Sequence, residues 1–332
     1  MIDKSVTFVI EKSPANAIYN PTATSSAKRG NGMTRQRVGK LGRGEIKAAY
    51  QLIAPLMIGL MIFYVWAFGQ NLYDSFTNKS SFGKPAFIGL DNYIKLFQTP
   101  YFYQSLFNTL LYVVICVPLV VAISVVLATL LNSQVRGKGL YRTLAFLPAV
   151  TLPAAVALMW KWLLNYEFGL VSAALRALSL NPVAWLSDPN VVLFAVSIVF
   201  VWSNVAYQVI VLLAGLQGIS KSYYEAARID GAGSMNQFFF ITLPLLTPSI
   251  FFVTVTTIIN VFQIFDIIYL IIPQYSSGTA ASRSLATYFF EEAFIKFHKG
   301  FGASISMVLF VLILLITLVQ MKLQKRWVHY DE

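Results

Sequence analysis

Asn204, Tyr207 and Gln208 stand at i, i+3 and i+4 in an otherwise apolar run, so a helix would place all three on one face. Farther along, Asn260 and Gln263 pair in the same way, with Asp266 about 60° further round. Amides and a carboxylate so placed offer hydrogen-bonding partners to a hydroxyl-rich solute, and Tyr207 or Phe262 could lay an aromatic face against a ring. Polar side chains inside a membrane span are costly and usually face the bundle interior or a cavity. The same residue types also hydrogen-bond between packed helices, so pathway lining and helix packing both stay open as readings.

Catalytic chemistry has no comparable support. The chain lacks a G-x-x-x-x-G-K-[ST] phosphate loop and an H-E-x-x-H pair. Its two histidines, His298 and His329, fall near the ends of apolar runs, where no His-based triad or metal cluster can form, so no catalytic residue and no metal site is expected. Gly231-Ala232-Gly233 is too short a glycine pair to cradle a phosphate. Cys116 is the lone cysteine, inside an apolar run, and reads as packing. Any ATP hydrolysis would have to come from another polypeptide.

The other conspicuous stretch is Glu225–Pro248, EAARIDGAGSMNQFFFITLPLLTP, a polar interruption between two apolar runs. Glu225, Ala226, Ala227 and Arg228 suit a surface helix, and Asp230-Gly231 supplies its stop. Pro244 and Pro248 then restrict the backbone ahead of the next apolar run.

These residues need a frame, and composition indicates which kind. Only 12% of the 332 residues are charged and 57% are hydrophobic, whereas soluble domains carry about 25% charged residues. The expected fold is all-α and polytopic, with six transmembrane helices over about 49–73, 105–131, 143–164, 190–216, 248–272 and 302–321. Pro148 and Pro153 should bend or unwind the third of these. The chain divides into a basic, disordered cytoplasmic tail (1–47), a six-span domain (48–325) holding the polar loop 217–247, and a cytoplasmic C-terminal tail (326–332). Met33 is an alternative translation start within the first tail.

Six spans put both termini on one side. That side carries nine basic residues in the N-terminal tail, Arg136, Lys138 and Arg142 in one loop, Lys221 and Arg228 in the polar loop, and Lys322, Lys325 and Arg326 at the end. The positive-inside rule places this side in the cytoplasm. The net charge of +11 therefore reads as membrane topology and contact with anionic lipid, and implies no nucleic acid.

Glu225-Ala226-Ala227, three residues, Gly231, nine residues and Ile241-Thr242-Leu243-Pro244 resemble, without a gap, the EAA loop of ABC-importer permeases. The segments FIGLDNYIKLF (87–97), LYRTLAFLPAVTLPAAVALMWKWL (140–163) and NVFQIFDIIYL (260–270) look like the carbohydrate-uptake group of that family. One departure is IIPQYSSG (271–278), where the family often has a Thr-Gly-Gly-Pro-like turn.

The resemblance implies a type I importer permease in a bacterial inner membrane, paired with a second homologous permease. Two ATP-binding cassette subunits would carry ATP and Mg, this chain binding no cofactor, and an extracytoplasmic solute-binding protein would deliver the cargo. Glu225, Ala226, Ala227, Asp230 and Gly231 would form the helix that docks on an ATPase subunit. Asn204, Tyr207, Gln208, Asn260, Phe262, Gln263 and Asp266 would line the substrate pathway. The expected cargo is a sugar, oligosaccharide or sugar derivative. The alternatives are glycerol phosphate or another polar solute, and an ion-coupled secondary transporter using Asp266.

Overall fold

The computed structural model describes residues 43–80, 84–133, 137–274, 276–326 and 328. The N-terminal tail up to residue 42 and most of the C-terminal tail lie outside the described residues. Met1–Met57 and Ile58–Glu332 form two compact units, the described part of the first being helical from Arg43.

Every regular element among the described residues is helical. Helix α1 (Lys47–Ser75) widens to a π-helix over Met61–Trp66, and no side chain of that stretch is buried. A short α2 (Asp91–Gln98) leads to α3 (Pro100–Asn132), with Pro100 at its first turn, where a missing N–H costs nothing. Next come α4 (Lys138–Val150), α5 (Pro153–Leu163), α6 (Leu170–Ala177) and α7 (Val192–Gly218). The surface helix α8 (Lys221–Ile229) precedes α9 (Ser234–Leu245), α10 (Thr247–Phe262) and α11 (Asp266–Ile271). Last are α12 (Ser277–Ser282), α13 (Leu285–Phe290) with a π-helical turn Glu291–Ile295, and α14 (Lys299–Gln324).

Among the described residues, four helices, α1, α3, α7 and α14, are long and apolar enough to cross a membrane by themselves. The count reaches six if α4 with α5, and α9 with α10, each make one bent span. The expected bend in the third span is present: α4 and α5 meet at 102° around Thr151-Leu152. The fifth span differs from expectation. A continuous helix over 248–272 does not form, because α10 ends at Phe262 and Gln263–Phe265 are non-helical before α11 begins.

Helix α3 packs along α7, and α10 lies against both, so Tyr112, Val120, Val196 and Leu212 are fully enclosed. A second apolar cluster, with Leu96, Phe262, Tyr288 and Ile305, joins α2, α10, α13 and α14. The segment between α11 and α14 is held into this body. Asn108 donates to the carbonyls of Ala280 and Arg283, and the Tyr112 hydroxyl to that of Ser282. Thr109 accepts from the amide of Leu285. These polar side chains of α3 satisfy backbone that leaves the helical ladder, as an apolar surrounding requires.

At its first turn α14 starts against the chain that follows α1. The Gly300 amide donates to the Lys79 carbonyl at 2.8 Å, and a Cβ at Gly300 would overlap the Thr77 carbonyl oxygen. Gly69, by contrast, has open space where a Cβ would stand. Gly300→Ala is expected to destabilise the protein by about 1–3 kcal/mol, since backbone is what must yield. Gly69→Ala, inside a helix with room for the methyl group, should leave the thermal unfolding midpoint of the detergent-purified protein as high or slightly higher, so the opposite signs of the two shifts check the close approach.

Candidate functional site

Pro153 sets the shape of the first site. It has no N–H, so the Ala149 carbonyl loses the donor that would continue the helix, and the chain turns through 102° instead. The freed carbonyl accepts a 2.8 Å hydrogen bond from the Tyr207 hydroxyl, across from α7. On the facing side, the Ile264 carbonyl at the break after α10 accepts from Ser284 Oγ at 2.7 Å. Lys161 Nζ reaches the Leu270 carbonyl near the end of α11 at 3.2 Å. Two interrupted spans are thus capped by side chains.

Between the two breaks lies a cavity of about 320 Å³. Small-molecule sites span roughly 300–1,000 Å³. Its wall includes Thr151, Asn204, Tyr207, Asn260, Gln263 and Asp266. Asn260, Gln263 and Asp266 are exposed and have no side-chain hydrogen bond among the described residues. Asn204 is half-buried and donates to the Phe200 carbonyl of its own helix. Tyr207 keeps 57% of its surface exposed while its hydroxyl holds Ala149. No basic side chain contributes to the wall.

Two expected pathway residues lie elsewhere. Gln208 is 4% exposed and Phe262 is fully buried, and neither contributes to the cavity. Phe262 fails as a ring platform because α10 directs it into the second apolar cluster with Leu285 and Ile305. Besides Tyr207 and Phe200, the aromatic side chain that reaches the wall is Phe265, in the helix break. Thr151, Ser203 and Phe265 were not expected from sequence. The pair Pro148 and Pro153 was the available signal, because prolines in a span free carbonyls that something nearby must bond.

The second site is α8 and the turn after it. Ser220 caps the helix by accepting from the Ser222 amide. Gly231 takes φ +79, and Ala232 N–H bonds the Ala227 carbonyl while Gly231 N–H bonds that of Arg228. That pair of bonds is a Schellman stop, which needs the left-handed conformation glycine adopts freely. Tyr224 ties the helix to the body through Thr242 at 3.0 Å, and Gln237 donates to the Ala232 carbonyl. The opposite face presents Glu225, Ala226 and Ile229, all exposed, with Ile229 at 87%. Ala227 is half-buried toward the body, and Asp230 and Gly231 are exposed at the tip. Glu225 has no ion-pair partner among the described residues. At the base of this loop, Gly215 of α7 touches Ser249 of α10 so closely that a Cβ would overlap the hydroxyl.

The segment before α14 carries ionisable groups of its own. Glu291 pairs with Arg283 and Lys296, and the buried Glu292 with Lys296 and His298. Burial, with Glu292 nearby, pushes the Tyr288 hydroxyl up to about 12. Burial opposes the charge on Lys296, but the hydrogen bonds it donates to the Glu292 and Glu291 carboxylates outweigh it and raise the ammonium pKa.

Residues 97–329 match the family described as the binding-protein-dependent transport system inner membrane component. The chain belongs to that family. Among relatives in it, the trehalose/maltose transport system permease protein MalF of Thermococcus litoralis is 32% identical, over 87% of this chain and 98% of MalF. The sn-glycerol-3-phosphate transport system permease protein UgpA of Pectobacterium atrosepticum is 32% identical over 85% of this chain and 95% of UgpA. A chain of a solved bacterial alginate ABC transporter, in complex with an alginate-pentasaccharide-bound periplasmic protein, superposes with a TM-score of 0.77. It is 22% identical, and the match covers 85% of this chain and 96% of that one, a likeness of fold. As a family member, the chain is a multi-pass inner-membrane component, and its fold class is the expected one.

Tyr207→Phe should cost about 1 kcal/mol in thermal stability, because it orphans the Ala149 carbonyl. Combined with Pro153→Ala, which restores an amide donor at position 153, that cost should largely disappear. A double-mutant cycle on unfolding midpoints measures the difference.

Proposed function

We propose that this permease carries a sugar, oligosaccharide or sugar derivative inward through the cavity between its two broken spans, driven by ATP hydrolysed on separate subunits. The observation that carries the reading is the cluster Asn260, Gln263 and Asp266: three exposed polar side chains with no side-chain hydrogen bond among the described residues, lining a cavity between apolar helices. Polar side chains within spans face the bundle interior or a water-filled cavity, where their water can be exchanged for the hydroxyls of a solute. Two amides and a carboxylate suit hydroxyl donors, while Tyr207 and Phe265 supply aromatic surface. The trehalose/maltose relative supports a neutral saccharide. A glycerol phosphate, the cargo named for the other relative, would meet Asp266 and no basic side chain in this wall.

The rest of the machine follows as part of the same reading. A second permease completes the pathway, and a solute-binding protein docks on the outer face. ATP and Mg reside on two cassette subunits, where hydrolysis supplies the driving energy. Glu225, Ala226, Ala227, Asp230 and Gly231 belong to the docking helix, with Ile229 entering an apolar part of the ATPase cleft and Glu225 meeting a basic residue there. Movement of α8 reaches the cavity through Tyr224–Thr242 and through the Gly215–Ser249 contact, which keeps α7 and α10 together at the base of the loop. The termini and α8 face the cytoplasm.

Glu225→Lys should abolish substrate uptake and the co-purification of ATPase subunits while leaving membrane insertion intact. Uptake in membrane vesicles and the composition of affinity-purified complexes check this, and transport surviving the charge reversal would remove α8 from the coupling role.

A further inference from the structure

Phe265 is more than a piece of cavity wall, because it begins a chain of rings. It stacks on Tyr269 at 5.3 Å between centroids, with 20° between the planes, and Phe290 lies 4.7 Å from Phe265 and 4.9 Å from Tyr269. Phe290 stacks in turn on Phe294 at 5.2 Å and 23°. The first three rings are half-buried, and Phe294 is 55% exposed. The rings come from two separate segments, the break before α11 and the turn after α13, so one amphipathic helix cannot account for the row.

We propose that these four aromatic residues form an accessory subsite for the apolar face of a pyranose ring, continuous with the cavity and leading outward from it. The proposal rests on the sugar reading above and adds a place where the cargo's ring faces are bound. A pyranose presents a face of C–H bonds, and an aromatic ring offers a negative π-face that attracts their partial positive charge. Such contacts are weak and tolerate sliding, so a cargo can pass from ring to ring before its hydroxyls engage Asn260 and Gln263.

Two observations favour a sugar over lipid as the occupant. The row starts at a residue of the cavity wall itself. Its outer end stands on the turn Glu291–Ile295, where Glu291 bridges Arg283 and Lys296, and Glu292 bridges Lys296 and His298. That concentration of charge belongs at the polar boundary of a membrane, outside its hydrocarbon. The backbone bonds Lys296 N–H to Glu291 and His298 N–H to Glu292 hold the turn, so the row is formed before any cargo arrives.

The test uses the complete transporter in lipid nanodiscs and saturation-transfer difference NMR with maltose, trehalose and methyl α-D-glucopyranoside, with ring-less sorbitol as control. Phe290→Leu and Phe294→Leu keep apolar bulk and remove the ring. Each should lower transfer to the axial sugar C–H protons about threefold, the size expected for loss of one aromatic contact, while any transfer to sorbitol is the same in the leucine variants as in the unaltered protein. If transfer falls with Asn260→Ala and stays unchanged in both leucine variants, the rings are covered by lipid or the second permease and the subsite is refuted, while the sugar reading stands. Absence of transfer to all three saccharides in the intact complex would overturn both. Should Phe290→Leu fail to assemble with the ATPase subunits, Phe294→Leu, at the exposed ring, decides the matter alone.

Discussion

A backbone carbonyl inside a membrane bundle cannot turn to water, and much of this structure is arranged around that constraint. Pro153 removes the donor for Ala149, and the chain solves the loss by bending and by taking the Tyr207 hydroxyl from α7. The interruption after Phe262 is solved by Ser284 on Ile264, and Lys161 serves Leu270 beyond it. Each capped break turns a stretch of backbone aside and opens space between α4–α5 and α10–α11. The cavity occupies that space, so it is a consequence of broken helices whose loose ends have been satisfied.

The same economy explains the outer segment between α11 and α14. Asn108, Thr109 and Tyr112 are polar residues in a long apolar helix, and each bonds backbone between Ala280 and Leu285, where α12 stops and α13 begins. Their side chains are thereby used within the fold. Asn260, Gln263 and Asp266 differ in having no such partner among the described residues. The contrast separates polar residues that pack from polar residues that line a cavity, a distinction residue type alone does not make.

Stiffness marks the other end of the same helices. The Schellman turn at Gly231 and the Tyr224–Thr242 bond make α8 a fixed projection on the body. The contact of Gly215 with Ser249 joins the helices that flank it, and both helices supply cavity wall. A push on Ile229 or Glu225 therefore acts on a connected solid.

Several things were legible in the residues alone. The shortage of charge dictated a membrane bundle, because so few charged residues cannot coat a soluble domain of this length. The spacing of Glu225 through Pro244 marked a surface helix with its turn, since helix stop, glycine turn and prolines are local features and need no distant partner. Pro148 and Pro153 announced the bend in the third span for the same reason. Asn204, Tyr207, Asn260, Gln263 and Asp266 were found by helical spacing and all reach the cavity. Gln208 shared that spacing and does not, because which face of a helix meets a cavity is set by its neighbours, and Phe262, expected for its ring, lies two residues from Asn260 and is buried. The break at Gln263–Phe265 was invisible for a related reason: no proline or glycine marks it, and the donor that tolerates it, Ser284, lies twenty residues away along the chain. Periodicity and turn chemistry are written within a few residues of one another. Which carbonyl meets which hydroxyl across the bundle is decided only when the helices pack.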